Sequence, residues 1–172
     1  MNDSACCVHQ NPLLTSHHEI CTALSPAARR LCDDSVTELK GSDSITFGQF
    51  FGFCIGEQCI EIYKLTKDGL YEDSNDTYPA RDKFYEGKFT KLSDDKFRIA
   101  AGFETKIPSA LLNQQERVIG QPDAGDWGGY YVEVNQNGKR EFWIVDKNQQ
   151  NLPDNLKPFA QELNDLIAAL TD

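Results

Sequence analysis

Histidine stops early in this chain. All three (His9, His17 and His18) lie in the first 40 residues, and none occurs from Gly41 onward. The rest of the chain must do any acid–base work with Asp, Glu, Lys, Tyr, Ser or Cys, which disfavours hydrolases built on a Ser-His-Asp triad. Basic charge is also scarce. There are 17 Lys and Arg against 27 Asp and Glu, a net charge of −10. Nucleic acid is set aside as a partner on that ground, because phosphate binding relies on a basic surface that displaces counterions. Long apolar runs are missing too, and no stretch qualifies as a transmembrane segment.

What the chain has is 172 residues, 40% of them hydrophobic and 26% charged. That suits one globular domain with a core large enough to stand without metals. Residues 1–40 differ from the rest and hold four of the six cysteines, Cys6, Cys7, Cys21 and Cys32. Ser16-His17-His18-Glu19 fits a capping box, with Ile20, Leu24, Ala28 and Leu31 following at helical spacing until Pro26 interrupts. The segment lacks the basic start and apolar centre of a signal peptide. Cys32-Asp33-Asp34-Ser35 and the polar run after it have the look of a lipoprotein tether, although Arg29-Arg30-Leu31 does not fit the small residue a lipobox needs. A lipid anchor in a native precursor stays open. The expectation is a poorly ordered or short-helical leader, 1–40, ahead of a single domain, 41–172.

Within that domain Ile45 to Phe53 and Cys59 to Leu65 are rich in β-branched and aromatic residues and read as a hairpin. Lys67-Asp68-Gly69 is a turn into a short strand at Leu70-Tyr71, and Glu72 to Asp82 is a polar loop. Alternation of Phe84, Tyr85 and Phe89, then of Phe97 and Ile99, predicts strands at Lys83–Lys91 and Lys96–Ala101. Leu92-Ser93-Asp94-Asp95 is the expected turn between them. Pro108 to Glu116 suits a short helix with Leu111 and Leu112 inward. Leu156, Phe159, Leu163, Leu166, Ile167 and Leu170 recur at three and four residues, which predicts an amphipathic C-terminal helix from about Pro158.

The strongest local signal is Asn137-Gly138, the dipeptide of a two-residue type I′ hairpin, where both central residues take positive φ. Counting back pairs Val134 with Glu141, Val132 with Trp143 and Tyr130 with Val145 on one face. On the other face Asn135 meets Arg140, Glu133 meets Phe142 and Tyr131 meets Ile144. Both faces turn apolar away from the turn, so the hairpin belongs inside a sheet covered on both sides. The fold class that results is α+β: a twisted, largely antiparallel β-sheet of about six to eight strands with the C-terminal helix packed on one face.

Three constellations carry chemistry. Cys54 and Cys59 flank a four-residue connection whose strands bring the Cα atoms within disulfide range. A structural disulfide leads, followed by two free buried thiols, then by a redox or metal role that the C-x4-C spacing serves poorly. Glu72-Asp73-Ser74-Asn75-Asp76 resembles the start of a calcium loop, but Tyr78 stands where glycine is obligatory, so a solvated acidic turn is expected. The third is the loop Gln121 to Gly129. Asp123 and Asp126 lie in it with Trp127, Gly128 and Gly129, and they form the candidate ligand-binding set. Each carboxylate is expected to cap free amides of the loop. In the competing reading they bind calcium or a polar ligand beside an exposed Trp127, or serve as a catalytic pair. No other cofactor is expected.

SITFGQFFGFCIGEQCIEIYKL, LYED, VIGQPDAGDWGGYYVEV, FWIVD and the C-terminal helix together resemble a family of small secreted or lipid-anchored proteins of Bacteroidetes-type bacteria, a domain of unknown function. The likeness spans about residues 44–170. Some members carry a cysteine pair around the Pro-Asp, where this chain has Gln121 and Ala124. The resemblance implies an extracytoplasmic domain. The reading is therefore a non-enzymatic binding or interaction module at the cell envelope, with an unknown protein or small polar ligand as partner. The alternatives are an enzyme using Asp123 and Asp126, and a redox or metal protein using Cys54 and Cys59.

Overall fold

A computed structural model describes residues 38–171, apart from Gly56. The helical pattern from Ser16 to Leu31 and the Cys32 segment lie outside the described residues. Seven strands form one sheet: β1 (Ser44–Phe50), β2 (Ile60–Thr66), β3 (Gly69–Asp73), β4 (Phe89–Lys91), β5 (Val118–Ile119), β6 (Gly129–Gln136) and β7 (Lys139–Asp146). Their order across the sheet is β4-β3-β2-β1-β6-β7-β5. Every pairing is antiparallel except β5 with β7. The β6–β7 hairpin has the register counted from its turn, from Gln136 opposite Lys139 to Tyr130 opposite Val145. Asn137 and Gly138 have φ of 55° and 78°, the left-handed pair that a type I′ turn needs.

Both faces of the central strands are covered. On one side Ile45, Phe47, Leu65, Val132, Trp143 and Val145 meet helix α3 (Lys157–Thr171) through Phe159, Leu163, Ile167 and Leu170. Pro158 sits in the first turn of α3, where a missing N–H costs no hydrogen bond. Helix α2 (Ser109–Leu112) adds the fully buried Leu111, and Leu39 packs into the same core. The opposite face holds a smaller cluster of Phe50, Ile62, Tyr131, Phe142 and Ile144 under Tyr85, with Phe84 against it.

Two expected strands are something else. Lys96–Ala101 falls in helix α1 (Asp94–Ala100). Ser93, expected in a turn, is its N-cap and accepts from the Lys96 amide at 3.3 Å; Asp94 and Asp95 favour the positive end of the helix. The Phe97/Ile99 alternation misled because Ile99 is 47% exposed, while the buried position is Ala100. Of Lys83–Lys91 only Phe89–Lys91 is strand. Residues 84–88 form an irregular cover over the second face, tied down by polar bonds. The Tyr85 hydroxyl donates to Asp73 at 2.5 Å, the Tyr85 amide donates to the Tyr131 hydroxyl at 2.9 Å, and Arg140 donates to the Tyr85 carbonyl at 3.1 Å. Asp73 is thus 3% exposed, not part of a solvated turn. Its other oxygen accepts from the Lys88 amide. Desolvation and the bond to Asp73 push the Tyr85 hydroxyl above its ordinary pKa.

Candidate functional site

The first strand ends sooner than its apolar run implies. β1 stops at Phe50, and residues 51–55 leave the sheet instead of continuing to Phe53. The chain is then clasped. The Phe51 amide donates to the Cys59 carbonyl at 2.9 Å, and Cys54 and Cys59 form a disulfide with Cα atoms 5.6 Å apart. The pair is thus bonded and not two free thiols. Phe53 and Ile55, inside the clasp or beside it, point into solvent at 85% and 103% exposure.

The loop before β6 lies against this segment. Its start is set by Asp146, the last residue of β7 and 1% exposed. The Asp146 carboxylate accepts from the amides of Gln121 at 2.7 Å and Asn148 at 2.8 Å, and from the Asn151 side chain at 2.7 Å. A buried carboxylate with three N–H donors is well compensated, and it fixes where the loop departs. Arg81 donates to the Pro122 carbonyl at 3.2 Å.

Asp123 then closes the loop on itself. Its amide donates to the Gly128 carbonyl at 2.8 Å, its Oδ1 accepts from the Gly128 amide at 3.0 Å, and its Oδ2 accepts from the Tyr78 hydroxyl at 2.8 Å. Burial first, and then Asp123, push the Tyr78 hydroxyl up to about 12. Gly128 has φ +77°, and a β-carbon there would lie 2.5 Å from the Phe51 ring and 2.6 Å from the Phe50 carbonyl. Gly129 faces the Phe50 ring. These two glycines are buried and serve the contact between loop and strand.

The capping role expected of both carboxylates is carried by Asp123 alone. Asp126 is exposed, has φ +65°, and its carboxylate makes no hydrogen bond among the described residues. It lines an open cleft of about 620 Å³ with Phe51, Phe53, Ile55 and the disulfide. Trp127 is 67% exposed beside it. The candidate set therefore divides: Asp126 and Trp127 face solvent, whereas Asp123, Gly128 and Gly129 hold them there. Both oxygens of Asp123 accept within the fold, one from the Gly128 amide and one from the Tyr78 hydroxyl. Among the described residues no three His, Cys, Asp or Glu side chains converge as a metal site.

Lys147 supports the same end from beneath. Its Nζ lies 4.8 Å from the centres of both the Phe51 and Tyr130 rings and donates to Gln49 at 2.7 Å. Burial lowers its pKa to about 8. Phe51, Phe53, Ile55, Tyr78, Asp146 and Lys147 were not identifiable as site residues from sequence. The one available signal was the Gly52 that interrupts the aromatic run, since a β-carbon there would lie 2.2 Å from an Asp123 oxygen.

Among the described residues no helix is long and apolar enough to cross a membrane. Comparison of the chain with protein-family models, with curated proteins and with solved structures finds no match.

Proposed function

We propose that this is an extracytoplasmic binding module that docks an apolar protein surface on the loop end formed by residues 51–59 and 123–128. One observation carries the reading: Phe53, Ile55 and Trp127 stand 85%, 103% and 67% exposed on two adjoining loops, one clasped by the disulfide and the other closed by Asp123. Exposed large apolar groups cost solvation, and clusters of them on a buttressed frame mark contact surfaces. Tryptophan is the commonest anchor of such contacts, and a rigid loop loses little entropy when it binds. A disulfide-clasped loop favours an oxidising compartment, which is where the family resemblance also points. A protein suits this end better than a small polar molecule, because Phe51, Phe53 and Ile55 line the cleft and Trp127 stands exposed on the next loop.

Photo-crosslinking residues placed at 53, 55 and 127, one at a time, in cells that make the protein, test this. One discrete adduct shared by the three positions is expected, with none from position 98 on α1. Adducts of equal yield from position 98, or none from any position, would remove the reading.

A further inference from the structure

The edge of the sheet at β7 is finished over only two residues. β5 covers Ile144 and Val145 and goes no further. Gln136 and Lys139 close the hairpin as a hydrogen-bonded pair, and such pairs alternate along an antiparallel ladder. Arg140, Phe142 and Ile144 therefore turn their N–H and C=O groups away from β6. The Ile144 amide finds the Arg117 carbonyl at 2.7 Å. The main-chain groups of Arg140 and Phe142 have no such partner among the described residues.

Beside this bare stretch a cleft of about 390 Å³ opens, walled by Asn113, Gln114, Gln115 and Arg117 and also lined by Lys139 and Glu141, whose opposite charges pair with each other at 3.2 Å. The Arg117 guanidinium lies 4.7 Å from the Phe142 ring centre and 5.9 Å from that of Phe84. Stacking of this kind fixes a cation without neutralising it. Arg140, 4.3 Å from the same Phe84 ring, is paired with Glu133 and Glu86. Arg117 makes no hydrogen bond or ion pair from its guanidinium among the described residues, in a chain with net charge −10. Unpaired strand edge and unpaired, pre-oriented cation thus lie along one cleft.

We infer that this cleft receives an extended acidic peptide segment of a partner, added to β7 as a strand beyond the end of β5, with a carboxylate of the peptide on Arg117. Main-chain bonds to Arg140 and Phe142 supply affinity that is largely independent of sequence. The bidentate guanidinium–carboxylate contact sets register and selects acidic chains. The surface is separate from the apolar loop end, so each proposal stands without the other.

The probe is a synthetic pool of extended peptides in which Glu or Asp alternates with Val, Ile, Thr or Tyr, alongside the matching pool with Lys. Amide hydrogen exchange is read in the full chain. The acidic pool should slow exchange at Arg140 and Phe142 about tenfold or more at saturation, and the Lys pool should not. Arg117→Glu, an exposed change checked for an unaltered melting curve, should weaken the best acidic peptide about tenfold or more. The inference is overturned if no acidic peptide protects these two amides, if the Lys pool does so equally, or if Arg117→Glu has no effect. Protection at high protein concentration without peptide, accompanied by dimer in sedimentation, would give the edge to a second copy and overturn it as well.

Discussion

Replacing Asp123 by Asn tests whether the carboxylate organises the loop that carries Trp127. Asn tolerates the left-handed φ of 61° found there, so backbone strain stays nearly constant. It can still accept from the Gly128 amide, but it loses the charge that strengthens that bond and the acceptor facing Tyr78. Hydrogen bonds to charged groups contribute about 1.5–3 kcal/mol when buried. Tyr78 is 42% exposed, so water replaces part of the loss. The expected cost is about 1–2 kcal/mol, or roughly 3–6 °C in melting temperature for a domain of this size. Urea unfolding followed by circular dichroism measures it, and a double-mutant cycle with Tyr78→Phe isolates the shared bond. Spectrophotometric titration gives a second readout. The Tyr78 hydroxyl should move down from about 12 in Asp123→Asn without returning fully to 10, since burial is the larger cause. The reasoning fails if Asp123→Asn lies within about 0.5 kcal/mol of wild type and the titration is unchanged.

Other outcomes follow from the same structure. Glu61 is 7% exposed, accepts from the Tyr63 hydroxyl at 2.9 Å, and burial, with Glu72 nearby, raises its pKa from 4.5 to about 7. A raised folded-state pKa gives stability that is full below pH 4.5 and lost as pH climbs through 7. Glu61→Gln should remove that slope and stabilise the chain above pH 7 by at most about 3 kcal/mol; an unchanged slope in thermal melts from pH 4 to 8 would refute it. Paired Cys54→Ser and Cys59→Ser changes should cost about 2 kcal/mol, the chain-entropy value for so short a loop, and no loss in urea unfolding would contradict the clasp's role. In protein unfolded without reductant, a maleimide should leave both of these cysteines unmodified; reaction at either would deny the bond.

Much of the fold could be read in the sequence where a local rule sufficed. The Asn137-Gly138 turn determined the register of β6 on β7, and three-and-four spacing located α3. The errors came where tertiary contacts overrode pattern. Phe84 and Tyr85 alternate like strand residues, yet they cover the sheet as an irregular segment because Asp73, Tyr131 and Arg140 bind its backbone and side chains. Phe97 and Ile99 alternate inside a helix that Ser93 and two aspartates start. At the site, turn chemistry singled out Asp123, Asp126 and Trp127. Turn composition alone does not tell which aspartate caps; Asp123 takes the Gly128 amide and also the Tyr78 hydroxyl, 45 residues away. Phe53 read as the last residue of a strand and Ile55 as part of the connection, and it is the end of β1 at Phe50 that leaves Phe53 outside the sheet.

The most direct measurement is the affinity of the crosslinked partner, once isolated, for the intact chain and for Trp127→Ser, by isothermal titration. Trp127 is exposed and supports no core contact, so the melting temperature should not move. Affinity should fall about tenfold or more, as for an anchor at the centre of an interface. Equal affinity for the two chains would contradict the assignment of the loop end as the binding surface.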